Sequence, residues 1–277
     1  MRADELTTVA QDYLKVIWNA QEWSSEPVSA KLIAERIGAA ASTVSETVRR
    51  LMAQDLVDHA PYGAITLTDR GRALAVAMVR RHRLLETFLV VELGYEWDEV
   101  HDEAEVLEHA VTERMLTRID AKLGHPARDP HGDPIPGPRG EMPQLTAVAL
   151  TTLQVGERGR VARISDADPF LLRYLSELGL TLDSRIMVRG RRDYAGTITV
   201  EWTAAPIGDP GAVGGHTAEG RDADDPVAGA AGGPAAGDSG GAAAGGSGAA
   251  CPTAAPLRVA TLGMRAAGYV YVEPGSW

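Results

Sequence analysis

The chain has 277 residues, 44% of them apolar and 5% aromatic, and a formal charge of −11. At ~150 residues per domain this length suits about two domains with real cores, and the acidic balance excludes a globally basic nucleic-acid coat while leaving a local DNA-reading face open. A single cysteine, Cys251, excludes a disulfide framework and a cysteine-rich metal site; no apolar run nears the ~18–20 residues of a membrane span, and the N-terminus MRADELTTVAQDYLKVIW is an amphipathic helix pattern rather than a signal peptide, so we expect a soluble, reducing, cytoplasmic setting without membrane contact.

Residues 4–22 place Leu6, Val9, Tyr13, Val16 and Ile17 at helical spacing, making one apolar stripe. The run VSAKLIAERIG (28–38) repeats the pattern and stops at Gly38. Ser42 or Thr43 caps the next helix, and Thr43 with Glu46 fits a capping box. That helix turns Val44, Val48 and Leu51 inward. Two short strand-like runs at 57–59 and 64–67 flank Pro61-Tyr62-Gly63 and read as a hairpin. Thr68-Asp69 opens a long helix to about residue 92, and the helical pattern resumes over 97–123 with a break near 110–112. The stretch 124–143 is proline-rich and irregular. VGERGRVARIS, the short helix DPFLLRYLSELG, DSRIMVRGRR, GTITVEW and the tail LRVAT…GYVYVEP read as one small β-barrel. The Gly/Ala-rich stretch at about 206–256 has no hydrophobic period and reads as a disordered loop inserted within that barrel. The expectation is a mainly α chain with a small β domain, divided at 1–75, 76–143 and 144–277.

Helix, tight turn, helix and hairpin is the winged helix-turn-helix order. The helix at about 42–54 would enter the major groove of DNA with Ser42, Thr43, Ser45, Glu46, Arg49 and Arg50 outward. Small hydroxyls at its N-terminal end suit phosphate and close base approach, and the arginines suit phosphates or guanine edges. Lys31 and the wing-tip Tyr62 are further backbone-contact candidates. Over 28–51, Lys31, Arg36, Arg49 and Arg50 face Glu35 and Glu46, a net of +2 in an acidic chain. A generic helical domain with solvated arginines is the plainer alternative.

The strongest chemistry lies in HDEAEVLEH, residues 101–109. At ~100° per residue, His101, Glu105, Glu108 and His109 fall within an arc of about 100°. Carboxylates converging there repel unless a divalent cation neutralises them. His82 and Glu86 form an i,i+4 pair on the preceding helix; alone, such a pair reads as a solvated face. His59, His125, His131 and His216 lack carboxylates at helical spacing and are set aside as non-ligands.

These motifs carry a family resemblance. A first helix bearing Tyr-Leu, the wing LTDRGRALA, RRHRLLE, VHDEAEVLEH and DPHGDPIPGP resemble the diphtheria toxin repressor family of metal-dependent bacterial repressors over essentially 1–140. ISDADPFLLRYLSELGL extends the likeness weakly. The branch most similar is the actinobacterial manganese transport regulators. The resemblance implies a winged-helix DNA-binding domain, a helical metal-binding and dimerisation domain, and a Src-homology-3-like barrel. It implies a primary metal site of Asp12, Glu105, Glu108 and His109. It implies an ancillary site of His82, Glu86 and His101 with a barrel ligand at Asp168, Asp166 being the fallback. In the iron-responsive branch the first two primary positions are Met and Cys; here both are carboxylates, which suit hard Mn(II). Lys15 replaces a glutamate that joins a binuclear site in the two-domain Bacillus-type regulators, so two separate sites are expected. The implied function is a homodimeric, Mn(II)-responsive repressor binding double-stranded operator DNA, with Fe(II) as the alternative effector. Metal would tie the first helix to the dimerisation domain and fix recognition-helix spacing. The dimer face would include Val100, Val106, Leu107 and Val111. Di-metal carboxylate enzymes use similar helical ligands, but draw them from four helices; the motif occurs once here, so no catalytic residue is assigned.

Overall fold

The computed structural model describes residues 5–60, 63–203 and 256–275. Tyr62, Cys251, His216 and nearly all of the 206–256 stretch lie outside the described residues.

Helix α1 (Thr8–Glu22) starts four residues into the expected span 4–22, because the Thr7 hydroxyl caps it by accepting from Ala10 N. Ser29 caps α2 (Ala30–Ile37) in the same way. Helix α3 (Ala41–Ala53) corrects the expected capping box. Its N-cap is Ala40, with no side-chain cap bond, so Ser42 and Thr43 already lie in the first turn. Strands β1 (Val57–His59) and β2 (Ile65–Leu67) pair antiparallel as the wing. Helix α4 (Asp69–Leu93) opens on the Thr68 cap. Its Gly71 sits against the chain entering the wing: a Cβ there would stand 1.8 Å from the Leu56 carbonyl oxygen. One core formed by Tyr13, Leu14, Ile17, Ile33, Val44, Val48, Leu51, Leu56, Ile65 and Met78 joins these elements.

The break expected near 110–112 separates α5 (Val100–Leu107) from α6 (Glu113–Lys122). Leu85, Leu89, Val100, Ala104, Val111 and Ile119 form their core with α4. Val100 and Val111 are therefore packed within this chain, whereas Val106 is 70% exposed.

The last domain is a six-stranded antiparallel sheet. Its strands are β3 (Val148–Ala149), β4 (Arg158–Ile164), β5 (Arg185–Arg192), β6 (Thr197–Thr203), β7 (Leu257–Gly263) and β8 (Val270–Pro274), in the order β3-β8-β4-β5-β6-β7. Helix α7 (Pro169–Leu178) lies between β4 and β5, and the short α8 (Met264–Ala267) between β7 and β8. Val161, Ile164, Leu175, Val188, Val200, Trp202 and Val272 fill its core. Strands β6 and β7 pair along their whole length, from Thr203↔Leu257 to Thr197↔Gly263. The Gly/Ala-rich stretch thus joins neighbouring strands of one domain, as its flanking sequences indicate.

Candidate metal centre

Two groups of potential ligands sit where α1, α4, α5 and the sheet domain meet. The first joins α1 to the end of α5. Asp12 Oδ1 lies 3.1 Å from His109 Nε2, and Glu108 Oε1 is 3.8 Å from the same nitrogen. Gln11 Oε1 is 2.7 Å from His109 Nδ1, while Gln11 Nε2 donates to the Leu6 carbonyl at 3.2 Å. The second bond fixes which end of the amide faces the ring. His109 Nδ1 therefore carries hydrogen and Nε2 turns to Asp12. Asp12 Oδ1 is buried with no hydrogen-bond partner. Burial pushes its carboxyl above the ordinary value, against the nearby His109 and Lys15 charges.

The second group brings four elements together. His82 Nε2 is 3.0 Å from Glu86 Oε1 and 3.2 Å from His101 Nδ1; His101 Nδ1 is 3.3 Å from Glu86 Oε1 and 3.2 Å from Asp166 Oδ2. His131, fully buried, brings Nδ1 to 3.8 Å from Glu86 Oε2. Its Nε2 donates to the Trp97 carbonyl at 2.7 Å, and its Nδ1 has no hydrogen-bond partner. A ring held through one nitrogen by a backbone carbonyl, with the other facing carboxylates, is oriented for a metal ion. Ligand atoms on one octahedral ion with bonds of ~2.2 Å stand about 3 Å apart, close to these spacings. Both groups fit a divalent ion on the evidence of their orphaned buried atoms. A cleft of about 620 Å³ opens onto the second group, lined in part by Asn19, Trp23 and Tyr271.

The histidines hold protons strongly when no metal competes. Burial lowers each, but the Glu86 charge and bonds to Glu108 and Glu86 raise His82 to about 9. Asp166 and Glu86 raise His101 to about 11, and Glu86, Asp129 and Asp166 raise His131 to about 10. Glu86, although buried, is held well below the carboxylate range by His82, His101 and His131.

The two groups touch through one residue. Glu108, fully buried, gives Oε2 to His82 Nδ1 at 2.6 Å and turns Oε1 toward the first group. Glu105 is placed differently from the expected primary set. It groups with His82 and Glu108, its Oε1 lying 3.5 Å from His101 Nε2 and 2.6 Å from Lys15 Nζ.

Asp168 needs correcting as the barrel ligand. Its Oδ1 accepts from the amides of Phe170 and Leu171 at 3.1 and 3.2 Å, capping α7. Asp166 is the aspartate that reaches His101. The sequence held a clue: Asp168 precedes Pro169, a pairing typical of a helix start. His131, set aside as a non-ligand, joins the second group because its loop folds back onto Trp97. His125 is exposed and pairs with Asp120.

On the DNA-reading side, Ser42, Thr43, Ser45, Arg49 and Arg50 are exposed on α3, and Lys31 is exposed on α2. Ser45 donates to the Ala41 carbonyl, Lys31 pairs loosely with Glu35, and Glu46 pairs with both Arg49 and Arg50.

Comparison with known proteins matches residues 5–65 to the iron-dependent repressor N-terminal DNA-binding domain and 68–137 to the iron-dependent repressor metal-binding and dimerisation domain. Residues 148–205 match the FeoA domain. The iron-dependent repressor IdeR of Mycobacterium tuberculosis is 34% identical over 197 residues, which cover 67% of this chain and 85% of that protein. The chain belongs to the iron-dependent repressor family that includes the diphtheria toxin repressor. The diphtheria toxin repressor of Corynebacterium jeikeium is 33% identical over 180 residues, covering 62% of this chain and 74% of that protein. Among solved structures, a manganese-dependent transcriptional repressor in complex with manganese is 49% identical, with a TM-score of 0.75 over 96% of this chain and 99% of the other. The manganese regulator SloR is 26% identical, with a TM-score of 0.66 over 96% and 98%. As a member of the iron-dependent repressor family, the chain is a metal-dependent DNA-binding transcriptional repressor rather than an enzyme. Among the described residues no helix is long and apolar enough to cross a membrane.

Proposed function

We propose that this repressor responds to Mn(II), binds double-stranded operator DNA as a homodimer in the cytoplasm, and uses metal to tie its DNA-binding domain to its dimerisation domain. The observation that carries the reading is Asp12 Oδ1, buried on α1 without a hydrogen-bond partner and facing His109 and Glu108 across the boundary between those domains. Asp12, Glu108 and His109 form the primary set, with Glu105 beside them. His82, Glu86, His101, Asp166 and His131 form the ancillary set. Neither set contains sulfur, and a hard oxygen and imidazole donor set suits Mn(II). The 49%-identical repressor crystallised with manganese supports the same choice.

A bound ion would supply positive charge that draws Asp12 toward Glu108 and His109. The residues do the rest. Asp12 is fixed to α1, which packs in the same core as α3, so holding Asp12 holds α3. In a dimer this sets the two α3 helices at one separation, roughly a DNA turn of ~34 Å. Ser42, Thr43, Ser45, Arg49 and Arg50 then meet phosphates and base edges, with Lys31 on the flanking backbone and Glu46 holding both arginines.

The test is Asp12→Ala, followed by fluorescence anisotropy on operator DNA with and without Mn(II). Metal-dependent binding is expected to be lost, while metal-independent binding stays weak and unchanged. Retention of the full Mn(II) response would sink the reading. The linkage is reciprocal, so operator DNA should tighten Mn(II) binding by the factor that Mn(II) tightens DNA binding.

A further inference from the structure

Between the two ligand sets lies a third grouping, His82, Glu105 and Glu108, whose ligand atoms lie within 4.8 Å of one another. A cation already stands among them. Lys15 Nζ lies 2.6 Å from Glu105 Oε1 and 2.6 Å from Glu108 Oε1, on a side chain only 5% exposed. Lys15 follows Asp12 by three residues on α1, so the two side chains lie on one helix face. The same turn of α1 thus presents an anion and a cation to the end of α5.

Both oxygens of Glu108 already have a partner. Oε2 is taken by His82 Nδ1 and Oε1 by Lys15, yet Oε1 is also the atom that faces His109. We infer that Lys15 is a built-in competitor for metal: its ammonium holds Glu108 Oε1 until an ion at the primary set takes that oxygen, and this competition sets the metal concentration at which the primary set fills. The inference rests on the primary set proposed above. An ammonium donates hydrogen bonds and has no lone pair, so it neutralises Glu108 without ligating metal. It also repels a divalent ion placed a few ångströms away. Glu105 retains Lys15 when Glu108 turns to the ion, so the ammonium is not left without a buried partner.

The test compares Mn(II) binding at the primary set in wild type, Lys15→Met and Lys15→Arg by calorimetry, with no DNA present. Lys15→Met keeps the length of the side chain and removes its charge, and should tighten Mn(II) binding by about tenfold or more. Lys15→Arg keeps the charge and should bind within about twofold of wild type. Unchanged or weaker binding in Lys15→Met would overturn the inference, as would tightening by Lys15→Arg equal to that by Lys15→Met. A second measurement needs no variant. In a crystal structure of the Mn(II)-loaded wild type, Lys15 Nζ should lie beyond hydrogen-bond reach of Glu108 Oε1 while remaining on Glu105. A loaded primary set with the 2.6 Å contact intact overturns the competition alone. No ion between Asp12 and His109 in that crystal overturns the primary set itself, and the competition with it.

Discussion

His82 touches both of the proposed ligand sets. Its Nε2 faces Glu86 and His101, while Nδ1 is fixed by Glu108. In the metal-free protein it carries a proton up to about pH 9, as do His131 to about 10 and His101 to about 11. Ligation requires the neutral ring, so metal binding must expel protons. Calorimetric heats of Mn(II) binding at pH 7 should therefore depend on the ionisation enthalpy of the buffer, giving at least about one proton released per ancillary ion. The stability of the metal-free protein follows with the opposite sign. A histidine raised from 6.5 to about 9 contributes stability that is fully present below pH 6.5 and lost as the pH rises through 9. Melting temperatures of chelator-treated protein should fall between pH 6.5 and 9, whereas Mn(II) should protect increasingly over that range; a flat metal-free profile would contradict the protonated histidines. At this scale the sequence pointed to the candidate ligands on helices, where spacing fixes direction. It set His131 aside and offered Asp166 only as a fallback to Asp168, because the directions of both depend on how loops return to α4.

The DPHGDPIPGP loop is the element in which local pattern and tertiary role diverge most. Prolines and glycines marked it as irregular, which it is, and irregularity concealed that it is firmly built. Asp129 accepts from the backbone amides of His131 and Asp133, both at 2.9 Å, folding the loop around its own carboxylate. His131 then points to Glu86, and Asp133 meets Arg163 and Trp23. Gly132 permits this turn, having φ +91° and a position where a Cβ would stand 2.1 Å from the Ala162 carbonyl oxygen on β4. Gly132→Ala should push the loop off β4 and withdraw His131. We expect a loss of ~3 kcal/mol in urea unfolding, with ancillary Mn(II) binding weakened and the primary set retained. Two unaltered binding phases in calorimetry would show that His131 does not ligate. The helices around the loop were legible for the opposite reason: three-to-four periodicity, the Thr68 cap and a break at 110–112 are local signals that packing did not override, whereas the cap expected at Ser42 or Thr43 gave way to Ala40.

Across the whole molecule, the sheet domain is fastened to the DNA-binding domain at one buried knot. Arg163 on β4 donates to Asp133 at 2.6 Å and lies over the rings of Trp23 and Tyr271, 4.6 and 4.8 Å from their centres. Trp23, at the end of α1, donates to the same Asp133 oxygen, while Arg83 on α4 joins Glu22 to the loop carbonyl of Pro134. None of this was legible in the sequence, since the partners lie from 30 to 110 residues apart. Arg163→Met should cost ~3 kcal/mol by leaving Asp133 with a weakened set of donors, and should loosen α1 enough to reduce Mn(II)-dependent operator affinity without abolishing it. The knot also separates what the sheet domain must keep from what it can lose. Every residue of the knot and of both ligand sets lies outside 204–256, and β6 and β7 meet in full register at Thr203↔Leu257. Joining those two strands by a short Asn-Gly turn therefore leaves the sheet pairing and the α1 fastening in place. The shortened protein should bind operator with Mn(II) within about twofold of the full chain, because a shorter connection between paired strands carries no added closure cost. A large drop in the Mn(II) response, measured beside a preserved melting temperature, would instead assign the excised stretch a role in repression.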